Sequence, residues 1–313
     1  MIVTQDNYYT FKIDKNTTQV TIPDHLGGFD QALLSPVLNH LIDQIKDRSI
    51  TVKTGYIVDD DIKNNYQNIN FVFSLGRPVH KEILNQYCVH PELTFQNFLC
   101  SFNGSPHVGR KLLVSALNKF NYYNPKYCSK NFSFSVDVLD GHIFDYVGDA
   151  INFYRKFFIG DRSEEFFQTV NSFGHVRFNH TRNIYNLEHK LTESFLHVVS
   201  ETLATSYYPF VTEKFLYSVV TRGLFLACAQ PGWHAHLERY YGFRGYTRLF
   251  DYRFDTIENP VERLVELMSM ISKFSVLSAD DWRDLYELES ETIEYNYDHY
   301  FSGNYLTCLK QHQ

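Results

Sequence analysis

The stretches SFLHVVSET (194–202) and YPFVTEKFLYSVVTRGLFLACAQPGW (208–233) decide how this chain folds. Residues 195–200 form a short, mostly apolar run, which is typical of a buried strand. From Glu213 the apolar residues recur at helical spacing, Gly223 is expected to end that helix, and residues 224–229 form a second buried strand. A strand, a helix and a further strand in this order predict a parallel α/β unit, and such units bind ligands at the carboxyl ends of their strands.

The helix that follows the first of these strands begins with charged residues. Thr212 is expected to be its N-cap, and Glu213 and Lys214 occupy its first turn. A helix N-terminus attracts anions, the lysine adds a full positive charge for a phosphate, and the glutamate can accept hydrogen bonds from ribose hydroxyls. In the alternative interpretation Glu213 only complements the helix dipole and Lys214 is a solvated surface charge.

An earlier segment also combines a strand with a polar loop. Residues 95–102 predict a strand that leads into NGSPHVGR (103–110), where a serine and a proline are expected to start a helix. Arg110 then lies near the carboxyl end of the strand, where its guanidinium suits a pyrophosphate, or it is a surface arginine of an amphipathic helix. His107 is a lone loop histidine without a second His, Cys or carboxylate at metal-ligand spacing, so no metal site is predicted.

Several short motifs, taken in order, resemble a known family. They are Glu201-Thr202, FVTEK (210–214), the apolar strand after it, Pro231-Gly232 and YGF (241–243). Together they are similar to the donor-binding half of the fucosyltransferase-like glycosyltransferases, and the resemblance covers about residues 96–270. It implies a GT-B fold, in which two Rossmann-like α/β domains face each other across a cleft. It also implies a nucleotide-diphosphate sugar as co-substrate, without a tightly bound cofactor.

The resemblance further implies roles for individual residues. The NGxxHxxR pattern of residues 103–110 is similar to the first loop of the family's donor domain, whose arginine helps to neutralise the departing diphosphate. The glutamate and the lysine of the later helix start engage the ribose and the diphosphate in that family. The donor-binding residues implied in this way are Asn103, His107, Arg110, Glu201, Thr212, Glu213 and Lys214. The implied reaction is an inverting, metal-independent transfer, with a GDP-sugar favoured as donor and a glycan favoured over modified DNA as acceptor.

The alternation of strands and helices divides the chain into three predicted parts. Residues 1–92 read as an acceptor-side α/β domain, residues 93–275 as the donor-binding domain, and residues 276–313 as a helical tail that packs back on the first domain. Within the donor-binding domain, residues 131–138 alternate between apolar and polar side chains, which predicts a further strand.

Three adjacent carboxylates follow a predicted strand at residues 50–58 of the first domain. Asp59, Asp60 and Asp61 are candidates for the catalytic base that an inverting transfer needs on the acceptor hydroxyl, and Asp24 and Asp30 are not excluded. The same three aspartates are also compatible with a metal site or with a cap of the next helix.

Composition limits the classes of partner. The net charge is −7 and the pI is about 6.0, which argues against a general electrostatic hold on DNA, RNA or anionic lipid and leaves a local basic cleft open. The five cysteines are odd in number and widely spread, which is typical of free thiols in a reducing compartment. No secretory signal and no membrane-length apolar run is found, so a cytoplasmic protein is expected. The alternatives to a glycan transferase are a DNA-base glycosyltransferase and a non-catalytic nucleotide- or glycan-binding module.

Overall fold

The structure of the chain is a computed structural model. It describes residues 10–22, 31–54, 58, 60–73, 92–104, 108–131, 170–173, 180–201, 209 and 211–311. The chain divides into two compact units. The first consists of Met1–Val79, Ser206–Tyr208 and Leu306–Gln313, and the second consists of His80–Thr205 and Pro209–Tyr305. The predicted domain boundaries at residues 92 and 275 stay predictions.

The first unit contains a three-stranded parallel sheet in the order β1-β2-β3. Its strands are β1 (Gln19–Ile22), β2 (Ile50–Thr54) and β3 (Ile69–Phe73), and helices α1 (Gln31–Ile45) and α2 (Asp60–Asn65) connect them. The apolar residues of α1 recur at helical spacing and are buried, as the sequence predicts, at Val37, Leu38, Leu41 and Ile45. A further strand is expected near residues 9–13, but the described part of it is a turn and irregular chain.

The second unit contains a four-stranded sheet in the order β5-β4-β6-β7, with all strands parallel. These strands are β4 (Asn97–Asn103), β5 (Cys128–Lys130), β6 (Ser194–Ser200) and β7 (Leu224–Cys228). Helix α3 (Val108–Lys119) follows β4, and α4 (His180–Thr192) precedes β6. Between β6 and β7 lie a 3-10 turn, Glu213–Phe215, and helix α5 (Leu216–Val220). The prediction of an α/β class with parallel sheets is confirmed; the facing GT-B arrangement stays a proposal.

The helices after β7 complete the second unit. Helix α6 (Trp233–His236) continues into a π-helical turn (Leu237–Tyr241), and the 3-10 turn Tyr252–Thr256 follows. The later helices are α7 (Pro260–Ser272), α8 (Ala279–Leu288) and α9 (Ser290–Ser302), and α10 (Asn304–Lys310) follows them in the chain. Helix α7 packs against α3, and α5 packs against α4 and α9. Every residue of β6 is buried, so both faces of this strand are covered.

Stacked aromatic rings join the C-terminal helices to the sheet. Phe195 of β6 lies 5.8 Å from Trp282 of α8, centroid to centroid, with the two rings almost parallel. The indole N–H of Trp282 donates to the carbonyl of Phe274 at 2.8 Å, so the buried ring keeps a partner for its polar atom. This stack and the hydrogen bond attach helix α8 to β6 within the core of the second unit.

Helix α5 ends differently from the expectation that Gly223 terminates it. The residue in the left-handed conformation is Arg222, with a φ of 54°, whereas Gly223 has an ordinary φ. The guanidinium of Arg222 pairs with Glu294 at 2.6 Å and lies 3.5 Å from the ring centre of Tyr297. Contacts with helix α9 thus hold a residue type that rarely adopts this backbone conformation.

Candidate functional site

The order of the strands in the second unit contains a topological switch point. From β4 the chain crosses to β5 on one side, and it later returns to β6 on the other side of β4. The strand order therefore reverses between β4 and β6, and open α/β sheets bind ligands at such a switch point. Asn103 is the last residue of β4 and Ser200 is the last residue of β6.

The pairing of the strands brings polar side chains into one row at this edge. Asn103 pairs with Lys130 of β5, and Ser200 pairs with Cys228 of β7. The β4–β6 ladder pairs Cys100 with His197, and the same register continued to the strand ends sets Asn103 level with Ser200. Side chains that are level on parallel strands project from the same face of a sheet. The row, called the carboxyl-edge row below, consists of Lys130, Asn103, Ser200 and Cys228.

The two central members of the row contain buried polar atoms with spare hydrogen-bonding capacity. Asn103 is fully buried, and its Nδ2 donates to Ser101 Oγ and to the carbonyl of Ser129, both at 3.1 Å. Its Oδ1 is buried and has no hydrogen-bond partner within the described part of the chain, and the same holds for Oγ of Ser200. Buried polar atoms are nearly always paired in folded proteins, so these two atoms mark an unusual place.

Two cationic side chains lie at or just beyond this edge. Arg110, predicted to face a diphosphate, is the third residue of α3 and is only 5% exposed. Lys130 ends β5, and burial lowers the pKa of its ammonium group to about 8. Lys130 is absent from the sequence-based site because the predicted strand begins at residue 131, one position beyond the observed β5.

A third cation belongs to a cluster of Glu201, Thr212 and Lys214. The Glu201 carboxylate is fully buried, and it accepts from the backbone N–H of Thr212 at 3.0 Å and from the Thr212 hydroxyl at 2.5 Å. The ammonium group of Lys214 donates to the same hydroxyl at 2.6 Å and lies 3.5 Å from Glu201 Oε2. The end of β6 is thereby tied to the helix start that carries Lys214.

This cluster changes the interpretation of its members. Thr212 stands at the N-cap position but makes no side-chain capping bond, because its hydroxyl is directed to Glu201. The prediction that Thr212 is the N-cap residue is confirmed for its position and backbone, although its side chain makes no capping hydrogen bond. Glu201 holds the cluster together from inside the protein, and its predicted contact with a ribose stays a prediction. Glu213 is partly exposed in the 3-10 turn, and its role also stays a prediction.

The remaining predicted site residues are described only in part. His107 and Asp59 lie outside the described residues. Asp60 and Asp61 are the first two residues of α2 in the first unit, and their side chains lie outside the description. Their assignment as catalytic bases stays a prediction.

A cavity adjoins the β7 end of the carboxyl-edge row. Its lining includes Cys228, Gly109 from the first turn of α3, and Arg263 from α7. Arg263 is buried and donates to the carbonyls of Ala229 at 3.1 Å and Glu258 at 3.0 Å, so its guanidinium braces the loops around the cavity. The position of Arg263 depends on tertiary packing, and the sequence contains no signal for it.

Behind this edge His234 and Asp255 form a buried pair. Nε2 of His234 accepts from the backbone N–H of Ala227 at 3.0 Å, so the ring proton of the neutral histidine is on Nδ1. Nδ1 lies 2.9 Å from Asp255 Oδ1 and donates to it. Because both ring nitrogens are engaged within the protein, the pair fixes the turn after β7.

Neither a metal cluster nor a membrane-crossing helix is found in the described residues. In those ranges no group of three or more His, Cys, Asp or Glu side chains is placed to hold a metal ion. The helices there also lack the combined length and apolar character that a bilayer crossing needs. Comparison of the chain with models of protein families, with curated proteins and with solved structures gave no match.

Proposed function

We propose that this chain binds a nucleotide-diphosphate sugar at the carboxyl edge of the second unit's sheet and transfers the sugar to a hydroxyl acceptor. The observation that carries the proposal is that Arg110 and Lys214 follow the two strands that flank the switch point. Ligands of open α/β sheets bind at that position, and a guanidinium and an ammonium group are the side chains that proteins use for phosphates.

The proposed role of the two cations is electrostatic. Negative charge grows on the diphosphate as the bond to the sugar breaks, and preorganised cations stabilise that charge more than they stabilise the bound donor. Lys214 is held in place by Thr212 and Glu201, so little reorganisation is needed when the charge develops. A carboxylate base has to accept the proton of the acceptor hydroxyl, and Asp59, Asp60 and Asp61 remain the proposed candidates.

The chemistry of the substrates follows from the resemblance rather than from the site. We propose a GDP-sugar as the first donor to assay and a glycan hydroxyl as the acceptor. No tightly bound cofactor is proposed, since the diphosphate leaves with its charge neutralised by side chains.

Thermal unfolding in the presence of GDP, UDP, dTDP, ADP and CMP tests the proposal. A ligand at about a hundred times its dissociation constant stabilises the folded state by about 2.7 kcal/mol, which raises the Tm by roughly 5 to 11 °C for a unit of this size. The expected result is a rise with one diphosphate that is lost in Lys214→Met and reduced in Arg110→Lys. Arg110→Lys keeps the positive charge at residue 110 but loses the planar guanidinium, which can donate two parallel hydrogen bonds to a phosphate.

Lys119→Met is the matched control, because Lys119 is exposed in the last turn of α3, far along the helix from Arg110. It should leave the shift unchanged. A protein that responds to no diphosphate contradicts the proposal. A protein that binds a nucleotide sugar but neither transfers nor hydrolyses it is a binding module, which contradicts the transfer step alone.

A further inference from the structure

The carboxyl-edge row contains two polar atoms that are buried without a hydrogen-bond partner in the described part of the chain. Asn103 Oδ1 and Ser200 Oγ are inaccessible to solvent and have no hydrogen-bond partner within the described ranges. An unpaired buried acceptor or hydroxyl destabilises a folded protein. Two such atoms, level with each other on the strands that flank the switch point, indicate that a ligand supplies the missing partners.

The orientation of the Asn103 amide decides what kind of ligand group fits. Its Nδ2 donates to the carbonyl oxygen of Ser129, which is only an acceptor. Rotating the amide by half a turn would set Oδ1 against that carbonyl and lose this bond as well as the bond to Ser101 Oγ. Oδ1 is therefore fixed as an acceptor, and the group that meets it has to donate a hydrogen bond.

A phosphate does not meet this requirement near neutral pH. The oxygens of an ionised diphosphate are acceptors, and placing one against Asn103 Oδ1 would bring two acceptors together. Sugar hydroxyls and the N–H groups of a nucleobase do donate. Ser200, whose hydroxyl donates and accepts, can serve the same ligand group or the one next to it.

We infer that Asn103 and Ser200 form a neutral subsite that binds an uncharged O–H or N–H donor of the ligand, beside a separate cationic subsite for its phosphates. The inference rests on the proposed function, since it assigns the non-phosphate part of the same ligand. It divides the edge by chemistry: Arg110 and Lys214 take the anion, and the two central members of the row take a hydroxyl or an amino group.

Ser200→Ala removes one of the two atoms with almost no change in volume. Because Ser200 Oγ has no partner in the described fold, the unliganded variant should have a Tm equal to or above that of the wild type. Ser101→Ala is the matched control, since the Ser101 hydroxyl donates to the carbonyl of Val198 at 2.8 Å and accepts from Asn103 Nδ2. The control should lower the Tm. A Ser200→Ala variant that loses as much Tm as the control overturns the inference.

Calorimetric titration of the wild type and Ser200→Ala with inorganic pyrophosphate, GDP and GDP-mannose, and with UDP and UDP-glucose as a second series, tests the ligand group. The expected result is unchanged affinity for pyrophosphate and roughly 3- to 10-fold weaker binding of the ligand that reaches the subsite. Weaker binding of the nucleotide sugar alone assigns a sugar hydroxyl. Weaker binding of the nucleoside diphosphate as well assigns a group of the nucleoside.

The other outcomes of the titration contradict the neutral subsite, the proposed function or both. Equal loss for pyrophosphate shows that Ser200 contacts phosphate and overturns the neutral subsite. Unchanged affinity for every ligand that the wild type binds overturns the subsite and leaves the proposed function standing. A wild type that binds none of these probes overturns both.

Discussion

Asp255 binds His234 through both of its carboxylate oxygens. Oδ1 lies 2.9 Å from the ring Nδ1, and Oδ2 accepts from the backbone N–H of the same histidine at 2.9 Å. Because Nε2 accepts from the N–H of Ala227, the ring proton is on Nδ1. The Nδ1–H and the backbone N–H of His234 therefore both donate to Asp255. The residue at position 255 therefore has to present two acceptors in a buried place.

Asp255→Asn is expected to destabilise the second unit because the amide offers only one acceptor. Its NH2 group would face one of the two donors of His234, which leaves a buried donor unpaired and lowers the free energy of unfolding by roughly 1 to 3 kcal/mol. Urea denaturation measures the loss. Asp251→Asn is the control, because Asp251 is exposed and pairs with Arg253 at the surface. This variant should lower the free energy of unfolding by no more than about 1 kcal/mol. Equal losses for the two variants would contradict the requirement for two acceptors.

Thr212→Val is expected to weaken the attachment of the Lys214 helix start to β6. Valine keeps the shape but removes the hydroxyl that donates to the Glu201 carboxylate and accepts from Lys214. Hydrogen bonds to charged groups are worth roughly 1.5 to 3 kcal/mol, against roughly 0.5 to 1.5 kcal/mol for neutral pairs. Thr221→Val makes the same change where the hydroxyl donates to a neutral carbonyl at 2.8 Å, that of Tyr217. Urea denaturation of both variants should show the larger loss for Thr212, and the reverse order would refute the role of the charged partners.

His197 should make the stability of the second unit fall in acid. Burial lowers the pKa of its imidazole to about 3, and Nδ1 lies 2.6 Å from Ser218 Oγ. In the unfolded chain the pKa is about 6.5, so between pH 6.5 and 3 the unfolded state binds a proton that the folded state does not. The free energy of unfolding then drops by about 1.4 kcal/mol per pH unit as the pH falls through this window.

The variant His197→Asn isolates this contribution. Asparagine keeps a polar atom near Ser218 and does not titrate, so the pH dependence of its unfolding free energy should be flatter than that of the wild type. Over two pH units below 6.5 the difference should reach roughly 2 to 3 kcal/mol. Parallel profiles for the two proteins would show that the imidazole is protonated in the folded state.

Arg222 combines a left-handed backbone with stabilising side-chain contacts, and two substitutions separate these effects. Arg222→Ala loses the contacts with Glu294 and Tyr297 but keeps a Cβ at a φ of 54°. Arg222→Gly loses the same contacts and also removes the Cβ. The glycine variant should be more stable than the alanine variant by about 1 kcal/mol in denaturant unfolding. A more stable alanine variant would mean that the helix end has relaxed to a different conformation.

Much of the second unit's sheet can be predicted from the sequence. The segments 195–200 and 224–229 are mostly apolar, and both appear close to those positions as β6 and β7. Such runs are informative because a strand covered on both faces carries few polar residues, and the one in the middle of β6, His197, is buried with Ser218 as its partner. The positions of Arg110 after β4 and of Lys214 after β6 are predictable for a related reason, since each follows a recognisable strand, and their role in ligand binding stays a prediction.

Strand β5 and the proposed neutral subsite are not predictable in this way. Cys128–Lys130 is too short to show a pattern, and it becomes a strand because β4 offers it an edge for pairing. The unpaired atoms of Asn103 and Ser200 depend on which neighbours use the other atoms of the row. Hydrogen-bond satisfaction is a property of the packed structure, so no local spacing could reveal it.

The pairing of β4 with β6 also has a consequence during synthesis. Ser101 donates across this pair to Val198, which is 97 residues further along the chain. At about 5 to 20 residues per second a ribosome needs roughly 5 to 20 s to add that length, and during this time the aromatic strand β4 has no partner on its β6 side. A nascent chain of this protein therefore exposes an open strand edge at residues 97–103 until β6 has been synthesised.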